Sequence, residues 1–230
     1  MKTYVDDILF SMVTKFSDFT RNQGVFLARP ELLSEHLVEV QLIGYQMIKY
    51  MKYKGISNRF DERLFLEKAL FHDLDEVVTG DIPRNTKYHS VEGKQALDKV
   101  AEDALTLIES HYDYLKGIKD LVLNAKKGRE GIILAVADML SVYRRVMIEI
   151  EIKGNKSPLR IVKELTSHVS LLEGKIEMLS DLTQEEKAFL QETLKDAETH
   201  CRSIVEENKN LIEKYSFIEN KLSIYEKESN

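Results

Sequence analysis

An aspartate stands inside the most apolar stretch of the chain. From Gly131 to Leu140 the residues run Gly-Ile-Ile-Leu-Ala-Val-Ala-Asp-Met-Leu, with Asp138 as their one charge. The run is too short to span a bilayer, so protein has to cover it. A carboxylate buried there costs several kcal/mol unless something positive receives it. Any fold of this sequence must therefore bring a cation to Asp138. Two sources are open: a basic side chain, with Arg144, Arg145 and Lys126 nearby in sequence, or a divalent metal ion.

Two other places put metal-binding side chains in apolar surroundings. Leu70-Phe71-His72-Asp73-Leu74-Asp75-Glu76-Val77-Val78-Thr79-Gly80-Asp81-Ile82-Pro83 offers an imidazole, three carboxylates and one more past a turn. The residues before it, 62–69, are helix formers with helical spacing, which predicts that His72 and Asp73 lie late on a helix. Glu76, four residues after His72 and three after Asp73, would then share their face, with Gly80 and Pro83 closing the helix. His36 falls early on a predicted helix capped by Ser34 and reaching about Tyr53, with Val40, Ile43, Gly44, Met47 and Ile48 on its buried side. A histidine so placed reads, by itself, as an ordinary core or surface residue. Taken together, two imidazoles and two carboxylates form a mixed nitrogen and oxygen set suited to Mn, Fe, Co, Ni or Zn.

Organisation along the chain points to an all-α protein. Only three prolines occur in 230 residues, and long stretches carry no turn signal. The apolar fraction of 43% and charged fraction of 31% describe a soluble, ordered chain of one domain, or one domain with an appendage. With a net charge of −6 and no basic run, nothing invites duplex nucleic acid, and no stretch spans a membrane. One cysteine, Cys201, excludes an intrachain disulfide and fits a reducing cytoplasm, while Asp6 and Asp7 stand where a secretory signal would carry cations. A helix is expected over residues 4–19, an irregular segment to Pro30, amphipathic helices over 90–107 and 161–179 and the most apolar helix over 131–152, with 110–122 ambiguous.

Thr183-Gln184-Glu185-Glu186 reads as a capping box opening a last helix. In it Leu190, Leu194, Ala197, Cys201, Ile204, Asn208, Leu211, Tyr215, Ile218, Leu222 and Tyr225 alternate spacings of four and three, a heptad seam with Asn208 at an a position. Such a helix would be about 60 Å long at 1.5 Å per residue. The division expected is a domain over 1–182 and a helical extension over 183–230. The seam could fold back on 161–179 or pair with a second chain. Because the preceding helix is about half as long, a homodimer is the expectation.

The order His36, His72-Asp73, Asp138 resembles the HD-domain metal-dependent phosphohydrolases. The strings Ser34-Glu35-His36, His72 to Pro83 and Ala137-Asp138-Met139-Leu140 are most similar to the bacterial 5'-deoxynucleotidase branch, over roughly residues 5–180. The resemblance implies an HD-domain helical bundle in which His36, His72, Asp73 and Asp138 ligate a divalent metal, Mn2+, Co2+ or another transition ion, with Mg2+ or Zn2+ as further options. It implies catalytic roles for Asp73 and for Glu76, as the group that handles protons. Asp81 would read the sugar 3'-hydroxyl, Arg21 would hold phosphate, and Lys87 would be a second candidate for that charge. The expected activity is hydrolysis of a (deoxy)nucleoside 5'-monophosphate to nucleoside and phosphate. Alternatives are a dNTP hydrolase releasing triphosphate or pyrophosphate, for which Arg84, Lys87, Lys126 and Lys127 would be the cations to watch, or a non-catalytic scaffold with a coiled-coil helix. The branch carries a tryptophan beside the phosphate-binding arginine; Asn22 stands there in this tryptophan-free chain, which leaves deoxyribose selectivity and the preference for monophosphates open. His89 and His111 are additional imidazoles that could serve a second metal.

Overall fold

The computed structural model describes residues 16–21, 27–82 and 90–212. Most of the helix expected over 4–19, together with Asn22, Pro83, Arg84, Lys87, His89 and the seam from Tyr215 to Tyr225, lies outside them. The helical expectation is met with one small exception. Thr20–Arg21 (β1) pairs antiparallel with Glu31–Leu32 (β2), Thr20 opposite Leu32 and Arg21 opposite Glu31. The segment read as irregular is thus pinned at both ends.

β2 runs directly into α1, Leu33–Tyr53, with extended Leu32 as the N-cap. Ser34 therefore lies inside the first turn instead of capping it. The Glu35 carboxylate reaches back to accept the Leu32 N–H at 3.4 Å. After a loop, α2 spans Glu62–Phe71, capped by Asp61, whose carboxylate accepts the Leu64 N–H at 3.0 Å.

Here the structure corrects the sequence reading: α2 stops at Phe71 and does not carry His72 to Glu76 as one helix. Residues 72–75 form tight turns, with Leu74 N–H bonding Phe71 O and Glu76 N–H bonding Asp73 O. A one-turn helix, α3, then covers Glu76–Thr79 and ends on Gly80 at φ 82°, a conformation open to glycine.

Further along come α4 (Val91–His111), a 3₁₀ turn (Asp113–Leu115) and α5 (Ile118–Leu123). α6 (Gly128–Met147) runs on as a π-helical turn over Ile148–Ile152. The last two are α7 (Leu159–Met178) and α8 (Gln184–Glu207). Ser90 caps α4, accepting the Gly93 N–H at 2.9 Å. The expected capping box opens α8: Thr183 Oγ1 accepts the Glu186 N–H at 3.2 Å, and Glu186 accepts the Thr183 N–H at 2.7 Å.

α6 is the central element, packed against α1, α2 and α7. Its residues Ile132 to Ala137 are all buried, as expected of a helix that is apolar all round. Together with Val40, Met47 and Met51 of α1, Phe65 and Ala69 of α2 and the inner faces of α7 and α8, they form one core. α1 and α2 approach closely because Gly44 has no side chain; a Cβ there would lie 2.2 Å from Phe65 Cζ. A second, smaller core joins Leu74 to Leu105 and Ile108 of α4 and Ile118 and Val122 of α5. The His72 turn sits between the two.

The seam's described part has an intrachain partner. Leu190, Leu194, Ala197, Cys201 and Ile204 of α8 are buried in the same core as Val162, Leu165, Val169, Leu172 and Ile176 of α7. The two helices form an antiparallel hairpin across the turn at 179–183, where the domain division was expected. Asn208 is the C-cap of α8, with its side-chain amide donating to Ile204 O at 2.9 Å, and Leu211 and Ile212 just beyond it pack against the same core. Among the described residues no helix is long and apolar enough to cross a membrane.

Candidate metal and phosphate site

Three separate pieces of chain deliver the ligand candidates to one point. His36 comes from the first turns of α1, His72 from the C-cap of α2, and Asp138 from the middle of α6. One ligand atom from each lies within 4.8 Å of the other two. Asp138 Oδ1 is 3.2 Å from His36 Nε2 and 3.9 Å from His72 Nε2. Both Nε2 atoms are buried and make no hydrogen bond. Each ring is instead fixed through its other nitrogen: His72 Nδ1 lies 2.9 Å from Ala69 O, and His36 Nδ1 lies 3.2 Å from Ser141 Oγ. A carbonyl only accepts, so His72 carries its proton on Nδ1 and turns the Nε2 lone pair inward. An inward lone pair on His72 and the unbonded Nε2 of His36, beside a carboxylate, fit a divalent cation. The expected fourth member, Asp73, brings Oδ2 to 3.2 Å from His72 Nε2 and 3.5 Å from His36 Nε2.

The two carboxylates are each held by a basic side chain. Asp138 Oδ2 accepts from Lys126 Nζ at 2.5 Å while Oδ1 faces the imidazoles. The two readings open from sequence, basic partner and metal ligand, thus apply to opposite oxygens of one group. Burial pushes the Asp138 carboxyl up, but the Lys126 ammonium and His36 outweigh burial and hold it well below the usual range. Asp73 ion-pairs with Arg21, which also lies 3.6 Å from Glu76 Oε2. Burial again opposes, yet its neighbours His72 and Arg21 keep Asp73 well below its ordinary value.

Glu76 goes the other way: burial first, then the negative charge of Asp73, push it well above the ordinary glutamate value. It lies beside the ligand set despite the broken helix, because the tight turn at 72–75 folds α3 back toward Arg21. One carboxylate kept ionised and a neighbour biased toward its acid form is an arrangement suited to moving protons.

Asp81 follows α3 and is near enough for its charge to act on both Glu76 and Arg21. Arg21 itself is placed by β1, and its pairing with β2 keeps it one strand away from the helix that bears His36. A cavity of about 810 Å³ opens beside the cluster, lined by His72, Asp73, Glu76 and Lys126 on one side and by residues 94–105 of α4 on the other. His111 lies at the end of α4 against the edge of Tyr112, and among the described residues only His36, His72 and Asp138 form a possible metal cluster. Sequence reasoning missed Ser141, which follows Asp138 by less than a helical turn, and Lys68, whose buried ammonium donates to Lys127 O at 2.7 Å.

Helical architecture and a histidine, histidine-aspartate, aspartate set in that chain order define the HD-domain phosphohydrolase class. The fold matches the crystal structure of an HD-domain phosphohydrolase from Listeria innocua with a TM-score of 0.65 at 26% identity, covering 83% of this chain and 88% of that one. A Pyrococcus horikoshii protein at 21% identity shares the fold, with a TM-score of 0.56 over 85% of this chain and 98% of its own. Within that class, the family model described as 5'-deoxynucleotidase YfbR-like matches residues 8–197, and the chain belongs to this family. The 5'-deoxynucleotidases YfbR of Salmonella paratyphi B and Salmonella newport are 32% identical over 135 residues, which is 56% of this chain and 65% of theirs. The match thus spans just under two thirds of those relatives.

Proposed function

We propose that the protein hydrolyses nucleoside 5'-monophosphates, deoxynucleotides among them, to nucleoside and phosphate with the help of a divalent metal. The observation that carries this is the convergence of His36 Nε2, His72 Nε2 and Asp138 Oδ1 beside the buried carboxyl of Glu76 and the guanidinium of Arg21. His36, His72, Asp138 and Asp73 would hold the ion; its nitrogen and oxygen donors favour Mn2+ or Co2+ over a purely hard cation. Such an ion supplies positive charge to a phosphoryl oxygen and makes water more acidic. Arg21 offers a fixed fork of donors for the phosphate and Glu76 a group that passes protons between water and the departing sugar oxygen. Asp81 is proposed, on the resemblance, to accept from a sugar hydroxyl. Lys87 is proposed as a second phosphate contact on the resemblance alone.

A single phosphate suits the cavity better than a polyphosphate. The α4 cations along its wall are matched by acids: Lys94 pairs with Asp98 and Lys99 with Asp103, while Glu102, held by Lys119, and Asp75 also line it. A triphosphate chain laid there would meet carboxylates. A scaffold without catalysis would have no use for a shielded carboxyl next to three convergent ligands. A cytoplasmic setting goes with this reading, supported by one lone, buried thiol, Cys201, which burial pushes up to about 11.

The test is a panel of ribo- and deoxynucleoside mono- and triphosphates with Mn2+ or Co2+. Release of orthophosphate from the 5'-monophosphates, abolished by a chelator, is the expected result. Release of triphosphate or pyrophosphate would move the assignment to the alternative activity, and silence with every ion would favour the scaffold.

A further inference from the structure

We infer that Lys126 is a phosphate-binding residue: its ammonium, fixed on Asp138, takes an oxygen of the substrate phosphate alongside Arg21. This deepens the phosphohydrolase reading and rests on it for the identity of the substrate.

The turn that carries Lys126 is built to hold it in place. Buried Lys68 of α2 donates to Lys127 O at 2.7 Å. The turn's backbone lies so close to the first turn of α6 that a Cβ on Gly131 would sit 2.5 Å from Lys126 C and 2.8 Å from Ala125 O. Gly128, at φ 75°, completes the bend into the helix. A helix start needs none of these features, and their joint effect is to aim Lys126 at a carboxylate twelve residues further on.

One of the three N–H groups of the ammonium goes to Asp138 Oδ2. The side chain keeps 42% of its surface accessible and lines the cavity with His72, Asp73 and Glu76. Arg21 pairs with Asp73 and Glu76, and Lys126 pairs with Asp138, so the two cations are tied to different carboxylates around the same histidines. A tetrahedral phosphate drawn to that point offers more than one oxygen, and two flanking donors fix its rotation where one would not. A lysine serving only to neutralise Asp138 would not need an open face on the cavity.

The experiment compares K126Q, which keeps a donor for Asp138 but loses the charge, with K126R, which keeps both. Inorganic phosphate is titrated calorimetrically into each Mn2+-loaded protein, Mn2+ affinity is measured separately, and kcat and KM are determined on a deoxynucleoside 5'-monophosphate. In K126Q, phosphate affinity is expected to fall about tenfold or more and KM to rise in parallel, with Mn2+ affinity within about threefold of the parent; K126R should recover most of the phosphate binding. Unchanged phosphate affinity in K126Q, or a loss of Mn2+ affinity that accounts for the change, would overturn the inference. Should the parent bind phosphate in a Lys126-dependent way yet hydrolyse no nucleotide, the proposed function fails and this assignment stands.

Discussion

At the scale of single residues, the site works through which nitrogen or oxygen of each group is left facing inward. His36 is turned by Ser141 and His72 by the Ala69 carbonyl. Ser141→Ala removes the partner of His36 Nδ1 and frees the ring, so Mn2+ affinity should drop about tenfold; titration of the metal-free protein with Mn2+ checks it. His72, Asp73, Glu76 and Asp138 stand out in the sequence, because a histidine-aspartate pair ahead of Gly80 and Pro83 and a carboxylate in an oily helix are conspicuous without coordinates, whereas His36 joins them only through the order of the whole set. Ser141 does not stand out. Its partner lies 105 residues away on another helix, and only the packing of α1 on α6 makes them meet. The pairing of Lys126 with Asp138 was legible only as one of several options, since sequence cannot show a carboxylate using its two oxygens for different purposes.

Elements, at the next scale, set how far apart those atoms lie. Periodicity over 62–76 reads as one helix, and it misses the break at His72 because the residues of the turn have no glycine or proline to announce it. Backbone groups there settle into tighter turns as Leu74 is drawn into the second core. α1 and α2, which bring in His36 and His72, touch at Gly44. Gly44→Ala forces its Cβ against a fully buried Phe65, and a loss of about 1–3 kcal/mol is expected, read as a lower denaturant midpoint.

A second device ties the Arg21 hairpin to the far end of α6. Buried Glu149, in the π-helical turn, accepts from Ala28 N–H and Asn155 Nδ2 at 2.8 Å and from Lys153 Nζ at 2.7 Å. Burial opposes its charge, but the Ala28 N–H, Lys153 and Asn155 together bring its pKa down from 4.5 to about 2. A carboxyl lowered on folding contributes stability that is complete above its ordinary range and is lost as pH falls toward its folded value. Glu149→Gln should therefore cost about 2 kcal/mol near neutrality, and the gap to the parent should close between about pH 4.5 and 2 in melts across pH.

For the molecule as a whole, the open question was the partner of the last helix. Spacings of four and three fit a seam between chains and a hairpin within one equally well. The described part of α8 spans 24 residues against 20 for α7, with helical residues 209–212 following Asn208. Over that part the two helices cover one another, and the apolar stripe to Ile204 is buried inside the chain. We therefore propose that residues 183–207 belong to the same folding unit as the site, with the turn at 179–183 a bend within it. A chain ending at Leu182 would bare the inner face of α7, so it should aggregate or melt well below the parent; a merely dissociated, equally stable monomer in sedimentation and melting would show the extension to be separable.

Finally, the pairing of Asp138 with Lys126 and of Asp73 with Arg21 has a bearing on handling and history. Neither acid depends on an imported charge to be tolerated in the interior, so an empty-handed chain is still a shaped one. Dialysis against a chelator should silence the protein while leaving its circular dichroism intact, and returning the ion should revive it without refolding. The same self-sufficiency would let a lineage change the ion it employs, as supply varies, without first rebuilding the scaffold.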